Sequence, residues 1–111
     1  MPTFIFRHRL TDAVIATLDA DNARKAVQTL VRAGTSLANA DLSGLNLSGA
    51  NLEGGVFTNA NCKGTIFDGA VLRGANFTNA IMTGSSMIDV LAHKMTLTGA
   101  EVTNLTQLKR D

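Results

Sequence analysis

A five-residue repeat runs through most of the chain and constrains its fold more than any other sequence feature. From Thr35 to Asn104 the sequence divides into fourteen units, such as Ala40-Asp-Leu-Ser-Gly and Ala75-Asn-Phe-Thr-Asn. The third position of every unit is apolar, the first is small in eleven units, and the fifth is Gly or Asn in twelve. A period of five matches neither the 3.6-residue helix nor the two-residue strand.

These three columns together predict a square coil. Each unit forms one short extended side that points its third residue inward, and the small first residue fits where the chain turns close to the axis. Gly and Asn in the fifth position tolerate the left-handed backbone angles that a corner requires. Coils stacked about 4.8 Å apart pair each side with the sides above and below, which satisfies the backbone polar groups.

The units resemble the pentapeptide-repeat family, whose motif is Ala-(Asp/Asn)-Leu-X-X in tandem. The resemblance implies an all-β solenoid, a right-handed quadrilateral β-helix with four units per coil, so that residues 35–104 make about 3.5 coils. Two late units, residues 85–89 and 90–94, lack Gly or Asn in the fifth position. We therefore expect a distorted coil or bulge near residues 86–96.

Residues 1–34 are predicted to form an N-terminal cap on the solenoid, because an open coil end would be a template for aggregation. Two apolar stretches, residues 4–10 and 13–18, predict a β-hairpin that turns at Thr11-Asp12. A helix over residues 23–32 is expected to follow. Asp21 or Asn22 would cap its start, and Gly34 would end it.

The remaining residues 105–111 form only a short C-terminal tail. The C-terminal end of the coil is therefore covered either lightly, by Leu105 and Leu108, or by another copy of the chain. The length of 111 residues favours one structural domain, because two separate cores would each be too small to fold well.

The sequence offers little for catalysis, and we expect no enzyme activity, no cofactor and no metal site. The two histidines, His8 and His93, lack a second ligand at a useful spacing. Cys62 lies in the inward apolar column, which predicts a small buried hydrophobe. A single cysteine, no signal peptide and no run of about 18 apolar residues predict a cytoplasmic protein without a membrane partner, in the host cytoplasm if the chain is phage-encoded.

Five outward second positions, where the family has Asp or Asn, carry apolar residues, and Ile88 is an apolar residue in an outward fourth position. With twenty residues per coil, Val71 and Leu91 share one face, and Ile66 and Ile88 share the adjacent face. Such a patch predicts a partner surface, whereas the alternative is partial burial or substitution without consequence. The candidate interface comprises Val56, Ile66, Val71, Ile81, Ile88 and Leu91.

The charge of the chain indicates which kind of partner to expect. The net charge is +1, and the repeat region carries three basic against five acidic residues. Duplex DNA carries one charge per ~1.7 Å, so this region does not imitate the acidic rod with which some family members act on gyrase. The candidate charged surface comprises basic residues before the repeat and one stacked outward column: Arg7, Arg9, Arg24, Lys25 and Arg32, then Glu53, Arg73 and His93.

The sequence thus predicts a non-enzymatic interaction protein that binds and occludes another macromolecule. An extension of this prediction is a bacterial or phage inhibitor of a host factor or defence complex. The expected partner is another protein, and a homodimer through the C-terminal coils is a further arrangement. The alternative is a nucleic-acid-related module, either a DNA mimic that modulates a topoisomerase such as gyrase or a weak DNA binder, which the charge disfavours.

Overall fold

The computed structural model describes residues 1–102. In chain order the elements are β1 (Thr3–Arg7), β2 (Val14–Asp19), α1 (Ala23–Arg32), β3 (Ile81–Met82) and β4 (Glu101–Val102). β1 and β2 form an antiparallel hairpin, whereas β3 and β4 pair in parallel within the repeat. The other sides of the coil are joined by single bridges, because each extended side is very short.

Each coil of the repeat contains twenty residues. Parallel bridges join residues twenty apart, as between Asp41 and Asn61. The Leu42 N–H donates to the Asn61 carbonyl of the next coil at 2.8 Å, and the Asn61 N–H donates to the Ala40 carbonyl of the preceding coil at 2.9 Å. The same pattern recurs along the repeat and gives four units per coil. The total of about 3.5 coils includes residues outside the described part of the chain and stays a prediction.

Third-position residues fill the interior of the coil, as the sequence predicts. Phe57 and Phe77 stack with ring centroids 4.8 Å apart, and Phe67 meets Phe77 edge-on at 5.6 Å. The buried members of this column are Leu37, Leu42, Leu47, Leu52, Phe57, Cys62, Phe67, Leu72, Phe77, Met82, Met87 and Ala92.

In two units the first-position and third-position residues complement each other in size. Gly55 precedes the bulky Phe57, and a Cβ atom on Gly55 would lie only 2.4 Å from Phe57 Cε2. The reverse pair is Val90 with Ala92, in which the larger residue takes the first position and both are fully buried. Val90 therefore fills space that the short Ala92 leaves, which keeps the interior close-packed.

The corners keep their geometry even where the sequence departs from Gly and Asn. All thirteen fifth-position residues from Asn39 to Gly99 have positive φ, including Asp89 at 59° and Lys94 at 60°. The twenty-residue register also continues here, with a bridge between Val71 and Leu91. The expected distortion near residues 86–96 is therefore wrong, because bonds to the neighbouring coil hold these corners in place.

Substituting Lys94 with glycine should stabilise the protein. A left-handed angle costs a residue with Cβ about 1–2 kcal/mol, and glycine loses part of that gain through its freer unfolded chain. We expect Lys94→Gly to raise the free energy of unfolding by about 0.5–1 kcal/mol, measured by urea denaturation. Lys63 is exposed and outside the positive-φ set, so Lys63→Gly is the matched control and should destabilise. Equal destabilisation by both variants would contradict the strain at Lys94.

The hairpin turns earlier than the sequence suggests. β1 ends at Arg7 because the His8 side chain organises the turn, with Nδ1 accepting hydrogen bonds from the N–H groups of Leu10 at 3.1 Å and Thr11 at 3.3 Å. Asp12 completes the turn with a φ of 64°. The stretch from His8 to Leu10, predicted as strand, is therefore outside β1.

Helix α1 has the predicted bounds and well-defined ends. Asn22, one of the two predicted caps, accepts a hydrogen bond from Lys25 N through Oδ1 at 2.9 Å. At the other end Gly34 has a φ of 80°, and its N–H donates to the Val31 carbonyl. The Thr35 N–H donates to the Leu30 carbonyl, so the helix ends in a Schellman motif.

The hairpin and helix supply hydrogen-bond partners to the first coil. The Asp41 N–H donates to the Arg7 carbonyl at 2.8 Å. On another side, the Asn51 N–H donates to Oε1 of Gln28 at 2.8 Å, so a helix side chain stands where a preceding coil would offer a carbonyl. The predicted tail at residues 105–111, with Leu105 and Leu108, lies outside the described residues.

Candidate protein interface

The coil has four faces, each named here by one second-position residue. Residues twenty apart lie on the same face, and the chain visits the faces in a fixed order. That order is the Val56 face, the Ile81 face, the Ile66 face and the Val71 face. The Ile66 and Val71 faces are therefore neighbours, whereas the Val56 face lies opposite the Ile66 face.

The structure brings together four of the six candidate interface residues. Val71 bridges directly to Leu91 on the Val71 face, and Ile66 shares its face with the unit that carries Ile88. Ile88 is 47% exposed, and the other three are half-buried. We call these four residues, Ile66, Val71, Ile88 and Leu91, the apolar corner surface.

Val56 and Ile81 do not belong to this surface. Val56 is 39% exposed but lies on the face opposite Ile66, and Ile81 lies on the face opposite Val71. The six residues therefore form no single patch. The twenty-residue period already separates them, because it groups only the other four residues on two adjacent faces.

An inter-coil hydrogen bond from Asp68 fixes the backbone at Ile88. In other units the second-position Asn or Asp accepts from the fourth-position N–H of its own unit, as Asn46 does from Ser48 at 3.1 Å. The equivalent second-position residue here is Ser86, and Asp68 of the preceding coil takes over this role. Its Oδ1 accepts from Ile88 N at 3.0 Å and from Ser86 Oγ at 2.5 Å. This contact was not predicted from the sequence. Its only sign in the sequence is Ser86, which stands at a second position where the motif has Asp or Asn.

The candidate basic residues are spread around the N-terminal end of the molecule. The Arg9 N–H donates to the Asn39 carbonyl, beside the first coil. Arg24 lines a shallow groove with Asn46 of the Ile66 face, and Arg32 lines another with Asn51 of the Val71 face.

Two of the basic residues make exposed ion pairs. Lys25 Nζ lies 3.2 Å from Asp21 Oδ2, and Arg7 Nε lies 3.9 Å from Asp12 Oδ1. Both pairs are largely exposed to solvent, so each contributes at most about 1 kcal/mol to stability.

The predicted column of Glu53, Arg73 and His93 lies on the Val71 face. The Gly54 N–H donates to the Arg73 carbonyl, and the Gly74 N–H donates to the His93 carbonyl, which places the three residues in successive coils. They therefore lie beside the apolar corner surface and form its charged border.

Cys62 has the environment of an inert core residue. It is fully buried, and burial of the thiol followed by the negative charge of Asp41 raises its pKa from 9.0 to about 12. The thiolate is the reactive form, so almost none exists near neutral pH. Within residues 1–102, no cluster of three or more His, Cys, Asp or Glu side chains could hold a metal ion.

We expect Cys62 to resist thiol reagents in the folded protein. A colorimetric disulfide reagent at pH 8 should label it only after opening of the coil, and in denaturant it should react with one equivalent. The control is Lys63→Cys in a Cys62→Ala background, because position 63 is exposed. Labelling of native Cys62 as fast as that control would contradict its burial.

Within the described part of the chain, none of the helices combines the length and apolar character that crossing a bilayer requires.

Comparison with known proteins identifies the family. A family model described as pentapeptide repeats, with eight copies, matches residues 33–59 and 56–91, which is more than half of the chain. The chain belongs to the pentapeptide-repeat family. The fold of this family is a right-handed β-helix, and its members are generally non-enzymatic protein-interaction modules.

A solved structure and the curated proteins give two further results. The chain is similar to a pentapeptide repeat protein from Nostoc Pcc 7120, with 20% sequence identity, coverage of 72% of this chain and 75% of that chain, and a TM-score of 0.38. No curated protein matches the chain.

Proposed function

We propose that this protein binds and occludes another protein through the apolar corner surface. The observation that carries the proposal is the exposure of Ile88 next to three half-buried apolar residues on two adjacent faces. Elsewhere the same faces carry Asn46 and Asn51 in the second position. An apolar cluster with a charged border is typical of a protein-binding surface.

The coil supports this proposal by holding the surface rigid. Asp68 ties Ile88 to the preceding coil, and the Leu91 N–H donates to the Ala70 carbonyl at 3.1 Å. A partner therefore meets side chains whose backbone is already ordered, which lowers the entropic cost of binding. We further propose that the coil extends to Asn104 for about 3.5 turns and that residues 1–34 close its N-terminal end.

The surface suits either a different protein or a second copy of the chain. In the last described coil, Met95 and Leu97 are half-buried and Val102 is 40% exposed, so separate apolar surface lies at this end of the coil, in the units of the Val56 and Ile81 faces. A homodimer through these coils would cover it. Inhibition of a host factor or a defence complex in the cytoplasm is the biological role that we propose for a heterologous partner.

Affinity capture with matched surface variants tests the function. The bait is the full chain, incubated with a lysate of the cells that make it, and bound proteins are identified by mass spectrometry. Ile88→Asp/Leu91→Asp should abolish specific capture, whereas Val56→Asp, at an exposed apolar position on another face, should retain it. Light scattering of each variant reports the oligomeric mass. The proposal fails if the wild type captures no protein and is monomeric. It also fails if Ile88→Asp/Leu91→Asp changes neither the captured proteins nor the oligomeric mass.

The nucleic-acid alternative gains no support from the geometry. Of the basic residues Arg7, Arg9, Arg24, Lys25 and Arg32, Arg7 and Lys25 already make ion pairs with Asp12 and Asp21, which reduces the charge available to a phosphate backbone. A salt-dependent mobility shift with duplex DNA tests direct binding, and a gyrase supercoiling assay tests mimicry. We expect neither effect at micromolar protein.

A further inference from the structure

The hairpin leaves one strand edge unpaired. Among residues 1–102 the sheet contains only β1 and β2, so β2 has a single neighbour there. The Ala20 N–H donates to the Pro2 carbonyl of the β1 side. Because antiparallel pairing alternates along a strand, the Leu18 backbone groups also point to β1, and those of Thr17 and Asp19 point away from it. The outer edge of β2 therefore presents free N–H and C=O groups.

The two strands of the hairpin differ in what covers them. β1 pairs with β2, and the Arg7 carbonyl also accepts from Asp41 N of the first coil. β2 has no partner beyond β1 among residues 1–102. Its sequence, Val-Ile-Ala-Thr-Leu-Asp, contains β-branched residues and neither lysine nor proline, the residues with which proteins commonly protect an edge. The pairing is irregular opposite the step from Phe6 to Arg7 and regular from Ala16 to Asp19, so this regular part of the edge is suited to pairing with another strand.

Charge indicates what kind of strand would pair there. Residues 10–23 contain Asp12, Asp19 and Asp21 and no Lys or Arg. Asp12 precedes β2, and the other two stand at its end and just beyond it, so both ends of the edge are acidic. Asp12 pairs with Arg7 at 3.9 Å, Asp21 pairs with Lys25 at 3.2 Å, and Asp19 Oδ1 accepts a hydrogen bond from Thr3 Oγ1 at 2.6 Å. All three contacts are exposed and individually weak, so a basic segment can compete for the carboxylates. The same charges disfavour a second copy, because antiparallel pairing of two β2 strands brings acidic ends together.

We propose that the outer edge of β2 accepts an extended segment of a partner protein, with basic residues at both ends, as a third strand of the hairpin sheet. Main-chain hydrogen bonds to Thr17 and Asp19 supply the affinity, and the carboxylates at the two ends select a basic segment. This inference rests on the proposed protein-binding function but uses a different part of the molecule from the apolar corner surface.

Binding of two short peptides tests the proposed charge preference. The probes are capped Arg-Thr-Val-Thr-Val-Thr-Arg and the same peptide with Glu at both ends. We expect the basic peptide to bind about tenfold more tightly at low salt. It should also slow amide hydrogen exchange at Thr17 and Asp19, whereas Leu18, bonded to β1, is the internal control. Equal binding of the two peptides, or binding of neither, would overturn the proposal.

Variants of the edge separate backbone pairing from charge selection. Thr17→Pro removes an outward N–H without breaking the pairing of β1 with β2, and proline is tolerated at edge strands. It should weaken peptide binding by about tenfold, whereas Thr17→Val keeps the N–H and should bind like the wild type. Asp12→Asn/Asp19→Asn should strongly reduce the preference for the basic peptide, because Asp21 alone remains acidic, while each Asn keeps a side-chain oxygen as hydrogen-bond acceptor. Unchanged binding in Thr17→Pro or an unchanged preference in the Asn variant would contradict the assigned edge.

Affinity capture distinguishes this inference from the proposed function. If the wild-type chain and Thr17→Pro capture the same partner equally well, the edge is not its docking site, although protein binding stands. If Thr17→Pro loses the partner, the edge is supported. If even the wild type captures no partner and is monomeric, the proposed function fails, whereas the peptide result still decides the chemistry of the edge.

Discussion

Replacing Phe77 with alanine should lower the free energy of unfolding by about 3–5 kcal/mol. The side chain is fully buried and contacts two aromatic rings, Phe57 at a centroid distance of 4.8 Å and Phe67 at 5.6 Å. Truncation removes both contacts and leaves a cavity that stacked coils cannot readily close, because their backbone bonds fix the spacing between coils. Chemical denaturation followed by circular dichroism measures the loss.

Two further variants calibrate this effect. Phe77→Leu copies Leu37 and Leu97, which occupy the same stack, and should cost clearly less than alanine because most of the volume is retained. Phe4→Ala removes a half-buried ring from the hairpin and should also cost less. A loss below about 1 kcal/mol for Phe77→Ala would show that the aromatic stack is not a main support of the coil.

Substituting Gly55 with alanine should destabilise the protein by about 1–3 kcal/mol through overpacking. The added Cβ would lie 2.4 Å from Phe57 Cε2, 2.9 Å from Cζ and 3.1 Å from the Leu52 carbonyl oxygen. The ring is enclosed by the core and cannot move aside freely. Thermal or urea denaturation should therefore show a less stable but still folded variant.

A second substitution, at Phe57, is the control for this prediction. Phe57→Leu in the Gly55→Ala background should recover part of the loss, because the ring atoms closest to the new methyl group are removed. A double-mutant cycle should yield a favourable coupling between the two positions. Gly49→Ala is the comparison variant, because its Cβ would meet open space while its φ of 70° makes it costly. Additive behaviour at positions 55 and 57 would contradict the steric explanation.

Much of the fold follows from the sequence because the repeat is local and regular. The apolar third position fixes which side chains enter the core, and the fifth position fixes the corners. The helix from Ala23 to Arg32 is predictable for the same reason, because its cap and its terminating glycine are adjacent to it in the sequence.

The corner at Lys94 shows why the backbone preference of a single residue does not predict the local fold. A lysine at positive φ is unfavourable by about 1–2 kcal/mol, which led to the expectation of a bulge. Inter-coil bonds such as Gly74 N to the His93 carbonyl hold the neighbouring backbone in register, and together they outweigh that cost. Such bonds depend on a coil twenty residues away, so the preference of a single unit does not reveal them.

The candidate interface was predictable only in part. The twenty-residue coil correctly pairs Val71 with Leu91 and places Ile88 on the adjacent face. The hydrogen bond from Asp68 to Ile88 N and the free edge of β2 depend on three-dimensional pairing. Neither feature has a signature within a single five-residue unit.

Amide hydrogen exchange tests most directly the claim that a rigid coil holds the outward side chains in place. In the unit at residues 65–69, the N–H groups of Thr65, Ile66, Phe67 and Gly69 donate to backbone carbonyls, and no such bond is formed by Asp68 N among the described residues. In residues 60–79 every unit has these four backbone bonds, so four amides in every five should exchange slowly, and the fourth-position amide, which bonds a side chain at most, should exchange faster. Protection without this five-residue period, or uniformly fast exchange, would contradict the claim.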